Sequence, residues 1–99
     1  SKYGIRPSDA ENFAEAASVL SGIRITGLMT IGRFEPDPEA ARDEFRMLAR
    51  LFEAIRRKAL PNTEMQWLSM GMTHDFETAI EEGANLVRVG RGIFGARPQ

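Results

Sequence analysis

Apolar and polar positions along the chain switch between a helical and a strand period. Phe13, Ala16, Ala17 and Leu20 fall at helical spacing. Ser8 ahead of them is a candidate N-cap, Glu11 completes a capping box, and Gly22 closes the helix. Ile23 to Ile31 is rich in β-branched and apolar residues, which predicts a strand. Asp37 followed by Pro38 predicts the start of the longest helix. Its apolar stripe is Ala41, Phe45, Leu48, Phe52, Ile55 and Ala59, with charged residues on the other faces read as a solvated surface. Met65 to Met70 predicts a second strand. A short helix then starts at Thr73 or Asp75, carries Phe76, Ala79 and Ile80, and stops at Gly83. Asn85 to Gly90 predicts a third strand, and Arg91 to Arg97 a further helical turn.

The predicted order is α-β-α-β-α-β. Helices long enough to serve as crossovers separate the strands, which implies a parallel sheet covered on its faces. A closed barrel of parallel strands needs about eight, and three are clear here. Ser1 to Gly4 looks like the tail of a loop after a preceding strand. The expected fold class is therefore α/β: residues 1–99 form one domain, a partial parallel (β/α) TIM barrel from the C-terminal half of a larger one.

Composition narrows the picture in a few ways. A formal net charge of -1 provides no global field for nucleic acid or an anionic membrane surface. The local basic run Arg56-Arg57-Lys58 matches the negative end of the helix dipole. There is no cysteine, so disulfides and thiolate metal sites are excluded. No apolar run reaches the length of a membrane span, and the N-terminal residues lack the apolar core of a signal peptide. The expectation is a cytoplasmic protein with no nucleic-acid or membrane partner.

The candidate chemistry lies in the last third. Leu68 to Asp75 and Leu86 to Gly95 each read as a short buried strand running into a Gly-rich turn. Two such turns can gather backbone N–H groups around a phosphate. Ser69 and Thr73 offer hydroxyls beside Gly71, and Thr73 is also a natural helix cap. Gly90 and Gly92 flank Arg91 and permit close backbone approach to an anion. Arg88, in a strand otherwise made of Leu86, Val87 and Val89, needs a partner, because a buried lone charge is costly. His74 is the only histidine, and nothing completes a triad or a metal set around it, so it reads as a surface or capping residue. Met70 and Met72 read as core, and Trp67 as buried in the barrel wall or the helix layer.

Several segments carry a family resemblance: Ser1-Lys2 with Gly4, Gly27-Leu28-Met29, Leu68-Ser69-Met70-Gly71-Met72, Ala79-Ile80 with Gly83, and Val87-Arg88-Val89-Gly90 with Ile93 to Arg97. In order and spacing they resemble the C-terminal half of the YggS-type pyridoxal-phosphate homeostasis family, whose members have an alanine-racemase-like barrel. The resemblance implies that Arg88 faces the pyridine nitrogen of pyridoxal 5′-phosphate and that Met29 packs near its ring. It implies a phosphate site at Ser69, Gly71, Thr73, Gly90, Arg91 and Gly92. The family usually has threonine at the position of Arg91 and commonly serine at that of Thr73. Its Schiff-base lysine lies near the end of the first strand, in a segment without a counterpart here; Lys2 and Lys58 are the only lysines, and neither matches that position. The implied function is non-covalent binding of pyridoxal phosphate for vitamin B6 homeostasis, by storage, buffering or delivery, with no established reaction. Two enzyme readings stand beside it: a pyridoxal-phosphate-dependent racemase or decarboxylase, and a generic phosphate-binding barrel enzyme. Unpaired sheet edges imply self-association or pairing with an N-terminal half.

Overall fold

The α/β alternation is present in the computed structural model, which describes residues 4–31, 37–90, 93 and 95. The elements are α1 (Pro7–Ser18), β1 (Ile25–Met29), α2 (Arg42–Arg57), β2 (Thr63–Met72), α3 (Phe76–Glu81) and β3 (Leu86–Arg88). The strands form one parallel sheet in the order β1-β2-β3. Parallel strands joined through helices place all C-terminal strand ends on one edge of the sheet, where the strand-to-helix turns collect.

α1 begins one residue before the expected cap. Pro7 occupies the first helical turn, Arg6 is the N-cap, and no side chain caps the helix. A proline there supplies a helix-ready φ and lacks the N–H that a cap would satisfy, so Ser8 falls inside the helix. The helix also ends early, at Ser18 rather than near Gly22. The Ser18 hydroxyl donates to the Glu15 carbonyl, and the Asn62 amide donates to the Ser18 carbonyl. These bonds satisfy last-turn groups without a glycine cap. The buried face is Ala14, Ala17 and Ser18, while Phe13 and Leu20 remain exposed. Small residues let α1 approach α2 and β1 closely, so the packed face is rotated away from the larger apolar side chains.

Asp37 and Pro38 do start a helix. The Asp37 carboxylate accepts from the Glu39 N–H at 3.0 Å, and a 3-10 turn over Pro38–Ala41 leads into α2. Phe45, Leu48 and Ile55 are buried along the expected stripe. Ala59 lies beyond the helix at positive φ. The charged surface is more organised than a solvated face. Arg42 binds Glu39, Glu81 and Glu82 at 2.6–2.7 Å, and Arg46 binds Glu82 at 3.0 Å, which ties the start of α2 to the end of α3. The Arg42 guanidinium holds the Glu39 and Glu82 carboxyls below their ordinary range. At the other end of α2, Lys58 pairs with Glu15 and Glu11 of α1, and Glu15 foremost raises its pKa.

Leu28, Leu68 and Met70 face the helices and pack with Ala41, Phe45, Leu48 and Ala79. Ala14, Ile55 and Met65 form a second cluster beside them. β2 is longer than expected, and its register shifts twice, between Thr63 and Trp67 against β1 and between Ser69 and Met72 against β3. Each shift lengthens β2 relative to its neighbour and changes which side chains share a face. Met65 and Leu68 therefore both meet the helices, while Trp67 turns to the opposite face and is 42% exposed rather than buried in the wall. Met72 shares that outcome at 43% exposure, whereas Met70 is fully buried as expected. β1 passes so close to the shifted strand that a Cβ on Gly27 would lie 2.0 Å from the Trp67 carbonyl oxygen. Among the described residues the helices cover one face of the sheet. The cover expected on both is not observed: the other face presents Met29, Trp67, Met72 and Leu86, all partly exposed.

Candidate functional site at the C-terminal strand ends

Arg88 is the last residue of β3 and stands in register with Met72 of β2. Its Nη2 donates to the Thr30 carbonyl, just beyond β1, at 2.5 Å. β1 and β3 lie on opposite sides of β2, about 9–10 Å apart at normal strand spacing. The guanidinium therefore lies across the middle strand. Among the described residues the partner of Arg88 is a carbonyl and no carboxylate.

Among the described residues, Arg88 Nε is buried without a hydrogen-bond partner, and so is Ser69 Oγ. Ser69 faces Leu86 on one side and Met29 on the other, and so shares a face with both. Buried polar atoms almost always have a partner. Two orphans on one face, near the edge where strand-to-helix turns collect, mark a place where a polar ligand would complete the bonding. Met29 is 62% exposed there, so it lines the open face rather than the core.

Gly71 has a different setting. Its φ is +102°, and an added Cβ would lie 2.6 Å from the Ala79 Cβ and 3.2 Å from the Phe76 Cα. The glycine is needed for α3 to sit on β2, which leaves only its backbone for a ligand. Thr73 stands in the turn that follows. α3 starts at Phe76 with Asp75 at the N-cap position, so Thr73 does not cap it. The turn is closed by Asp75, whose carboxylate accepts from the Met72 N–H at 2.8 Å while its own N–H donates to the Met72 carbonyl. His74 is partly exposed in this turn, with Nε2 3.6 Å from Asp75 Oδ2.

After β3 the chain enters a helical turn, in which the Ile93 N–H donates to the Val89 carbonyl at 3.1 Å. Gly90 opens it, with none of the described residues within 4 Å of where a Cβ would stand. That open space suits close approach of an anion. Arg91 and Gly92 lie outside the described residues. Two contributors carry no sequence signal of their own. Asn85 accepts from the Leu68 N–H and donates to the Gln66 carbonyl, both at 2.8 Å, and thereby pins the start of β3 to β2. Thr30 receives Arg88 and bonds Glu44 of α2 at 3.3 Å.

Lys58 is remote from this edge. It closes the C-terminal end of α2 onto α1, whereas Glu44 near the start of α2 is the residue that meets the strand ends. Lys2 lies outside the described residues. A shallow groove of about 480 Å³ on the C-terminal half of α2, lined by Ala49, Arg50, Glu53, Ala54 and Arg57, is likewise separate from the strand ends. Among the described residues no group of three His, Cys, Asp or Glu could hold a metal ion, and no helix is long and apolar enough to cross a membrane.

A parallel sheet with orphaned donors at its C-terminal edge is the arrangement of a (β/α)-barrel ligand site. Residues 1–98 match the alanine racemase N-terminal domain, and the chain belongs to that family. Among its relatives are the pyridoxal phosphate homeostasis proteins of Aquifex aeolicus, 42% identical over 97% of this chain, and of Pseudomonas aeruginosa, 43% identical over 98%. The chain spans about 40% of the length of these curated relatives: 41% of the first and 40% of the second. A crystal structure of an unknown protein from Bifidobacterium adolescentis superposes with a TM-score of 0.88 at 42% identity, covering 95% of this chain and 38% of that one. PipY of Synechococcus elongatus, solved with pyridoxal phosphate bound, superposes with a TM-score of 0.74 at 28% identity, covering 87% of this chain and 40% of that one. These relatives agree with the resemblance drawn from the motifs.

Proposed function

We propose that this chain supplies the phosphate and ring-nitrogen side of a pyridoxal 5′-phosphate site, used for vitamin B6 homeostasis by storage, buffering or delivery. The observation that carries the reading is the pair of buried atoms without a partner among the described residues, Arg88 Nε and Ser69 Oγ, on one face of the sheet, with Gly90 two residues after Arg88. The relatives named for pyridoxal phosphate homeostasis support the choice of ligand.

When bound, the cofactor brings a reactive aldehyde on a pyridine ring. Arg88 Nε is a permanent donor, so it pairs with an unprotonated ring nitrogen and keeps it unprotonated. That weakens the ring as an electron sink and suits a carrier. Ser69 and Thr73 offer hydroxyls to the phosphate, and the backbone at Gly71, Gly90, Arg91 and Gly92 offers N–H groups. Met29 packs against the ring. Lys58 is held by Glu11 and Glu15 at the far end of α2, so it is not placed to bond the cofactor, and the binding proposed here is non-covalent. The exposed sheet face around Met29, Trp67, Met72 and Leu86 is the surface for pairing with an N-terminal half-barrel or with a second copy.

Equilibrium dialysis against pyridoxal phosphate tests the assignment. Arg88→Ala combined with Gly90→Ala should weaken binding at least about tenfold, the scale of losing one charge-assisted hydrogen bond. Unchanged affinity in the double variant refutes the site.

A further inference from the structure

Thr30 stands at a junction that neither the motifs nor the family match explains. Its N–H continues the ladder to the Ser69 carbonyl at 3.1 Å. Its carbonyl takes Arg88 Nη2 at 2.5 Å, from a residue 58 positions away. Its hydroxyl bonds a Glu44 carboxylate oxygen at 3.3 Å, on the first turn of α2. One residue thus links the end of β1, the middle strand, the far strand and the covering helix.

Arginine has many rotamers, and ordering its side chain carries a substantial entropic cost. Arg88 ends a strand of only three residues, Leu86–Arg88, with an open turn after it. Without a fixed acceptor its head group would have a wide range of positions. A carbonyl at the end of β1 removes that freedom before any ligand arrives. It also engages a terminal nitrogen, while Nε stays buried with no partner among the described residues. The carbonyl can do this only while β1's end is held in place, and the Thr30 hydroxyl on Glu44 is the side-chain bond that holds it to α2.

We propose that Thr30, anchored by Glu44, is the positioning residue for Arg88: it pre-sets the guanidinium across β2 so that Nε faces the ligand. The consequence for pyridoxal phosphate rests on the function proposed above, but the positioning itself is a property of the ligand-free chain.

The test is nuclear magnetic resonance of the ¹⁵N-labelled chain without ligand, following the Arg88 Nε–H signal and its exchange with water. Thr30→Val keeps the carbonyl and the side-chain shape and removes the hydroxyl, while Thr30→Ser restores a hydroxyl. The expected result is a protected Arg88 Nε–H in the parent, exchange faster by about fivefold or more in Thr30→Val, the scale of one hydrogen bond, and recovery in Thr30→Ser. Glu44→Ala should reproduce the Thr30→Val effect. Equal protection in parent and Thr30→Val, with backbone spectra showing both folded, overturns the proposal. Loss of protection without recovery in Thr30→Ser overturns it as well, since the hydroxyl would then not be the cause. A parallel titration with pyridoxal phosphate reports separately on the function. If the parent protects Nε–H but binds no pyridoxal phosphate, the positioning stands and the cofactor reading fails.

Discussion

Gly71→Ala should damage the fold at the candidate site more than any other single methyl addition at a positive-φ glycine among the described residues. Two costs combine. The backbone sits at φ +102°, where an L side chain is strained, typically by about 1–3 kcal/mol. The new methyl would also lie 2.6 Å from the Ala79 Cβ and 3.2 Å from the Phe76 Cα, so α3 must lift from β2. Overpacking of that kind costs about 1–3 kcal/mol. Reduced freedom in the unfolded chain returns about 0.4–1 kcal/mol. The net loss should be about 1–5.5 kcal/mol. Gly83→Ala is the internal control. Gly83 has φ +115°, but its added methyl would find its nearest neighbours at 3.8 and 3.9 Å, so it carries the strain without the collision. Urea unfolding followed by the fluorescence of Trp67, the only tryptophan, measures both. Gly71→Ala should lower the midpoint clearly more than Gly83→Ala. Equal losses, or a loss below about 1 kcal/mol for Gly71→Ala, would refute the packing account.

Three further outcomes follow from the same structure. Gly90→Ala places a methyl clear of the described residues, so its unfolding free energy in urea should stay within about 0.5 kcal/mol of the parent while pyridoxal-phosphate affinity falls; equal affinity would remove Gly90 from the site. The Glu39 and Glu82 carboxyls are held below their ordinary 4.5, mainly by Arg42. Their stabilising contribution is therefore complete above that value and lost as pH falls through their lowered values. Arg42→Met should accordingly flatten the fall in melting temperature below pH 4.5, and an unchanged slope would show that the cluster is not coupled to folding. Asn85→Ala leaves the Leu68 N–H and the Gln66 carbonyl without their side-chain partner, which should cost about 1–3 kcal/mol by thermal or urea unfolding; a neutral result would mean that water replaces the amide.

The α/β alternation was legible because each element announces itself locally. The Asp37–Pro38 start and the Phe45, Leu48, Ile55 stripe need only their own neighbours, and both appear as read. Helix ends were less legible because the deciding partner is distant: α1 stops where Asn62, 44 residues on, takes the Ser18 carbonyl. Trp67 and Met72 were placed by their apolar character, but the two register shifts in β2 decide their face, and a shift leaves no clear mark in composition. In α1, close approach through Ala14 and Ala17 outweighed the larger side chains of Phe13 and Leu20. At the site, Arg88 drew notice as a charge in an apolar strand, and its orphaned nitrogen gives that signal a physical basis. Thr30 and Glu44 drew none. Their part depends on Arg88 crossing the sheet, which only the assembled strands define. Arg42 was similarly hidden among surface charges, since Glu81 and Glu82 reach it from 39 and 40 residues away.

The central claim is that the C-terminal edge of this sheet recognises pyridoxal phosphate through its phosphate and ring nitrogen, without a lysine bond. The most direct measurement is an absorbance titration of the chain with pyridoxal 5′-phosphate, with phosphate-free pyridoxal as control, followed by borohydride treatment and mass spectrometry. The account predicts saturable binding that needs the phosphate and leaves no reduced adduct on Lys2 or Lys58. Absence of saturable binding, equal binding of pyridoxal, or an adduct at either lysine would contradict it.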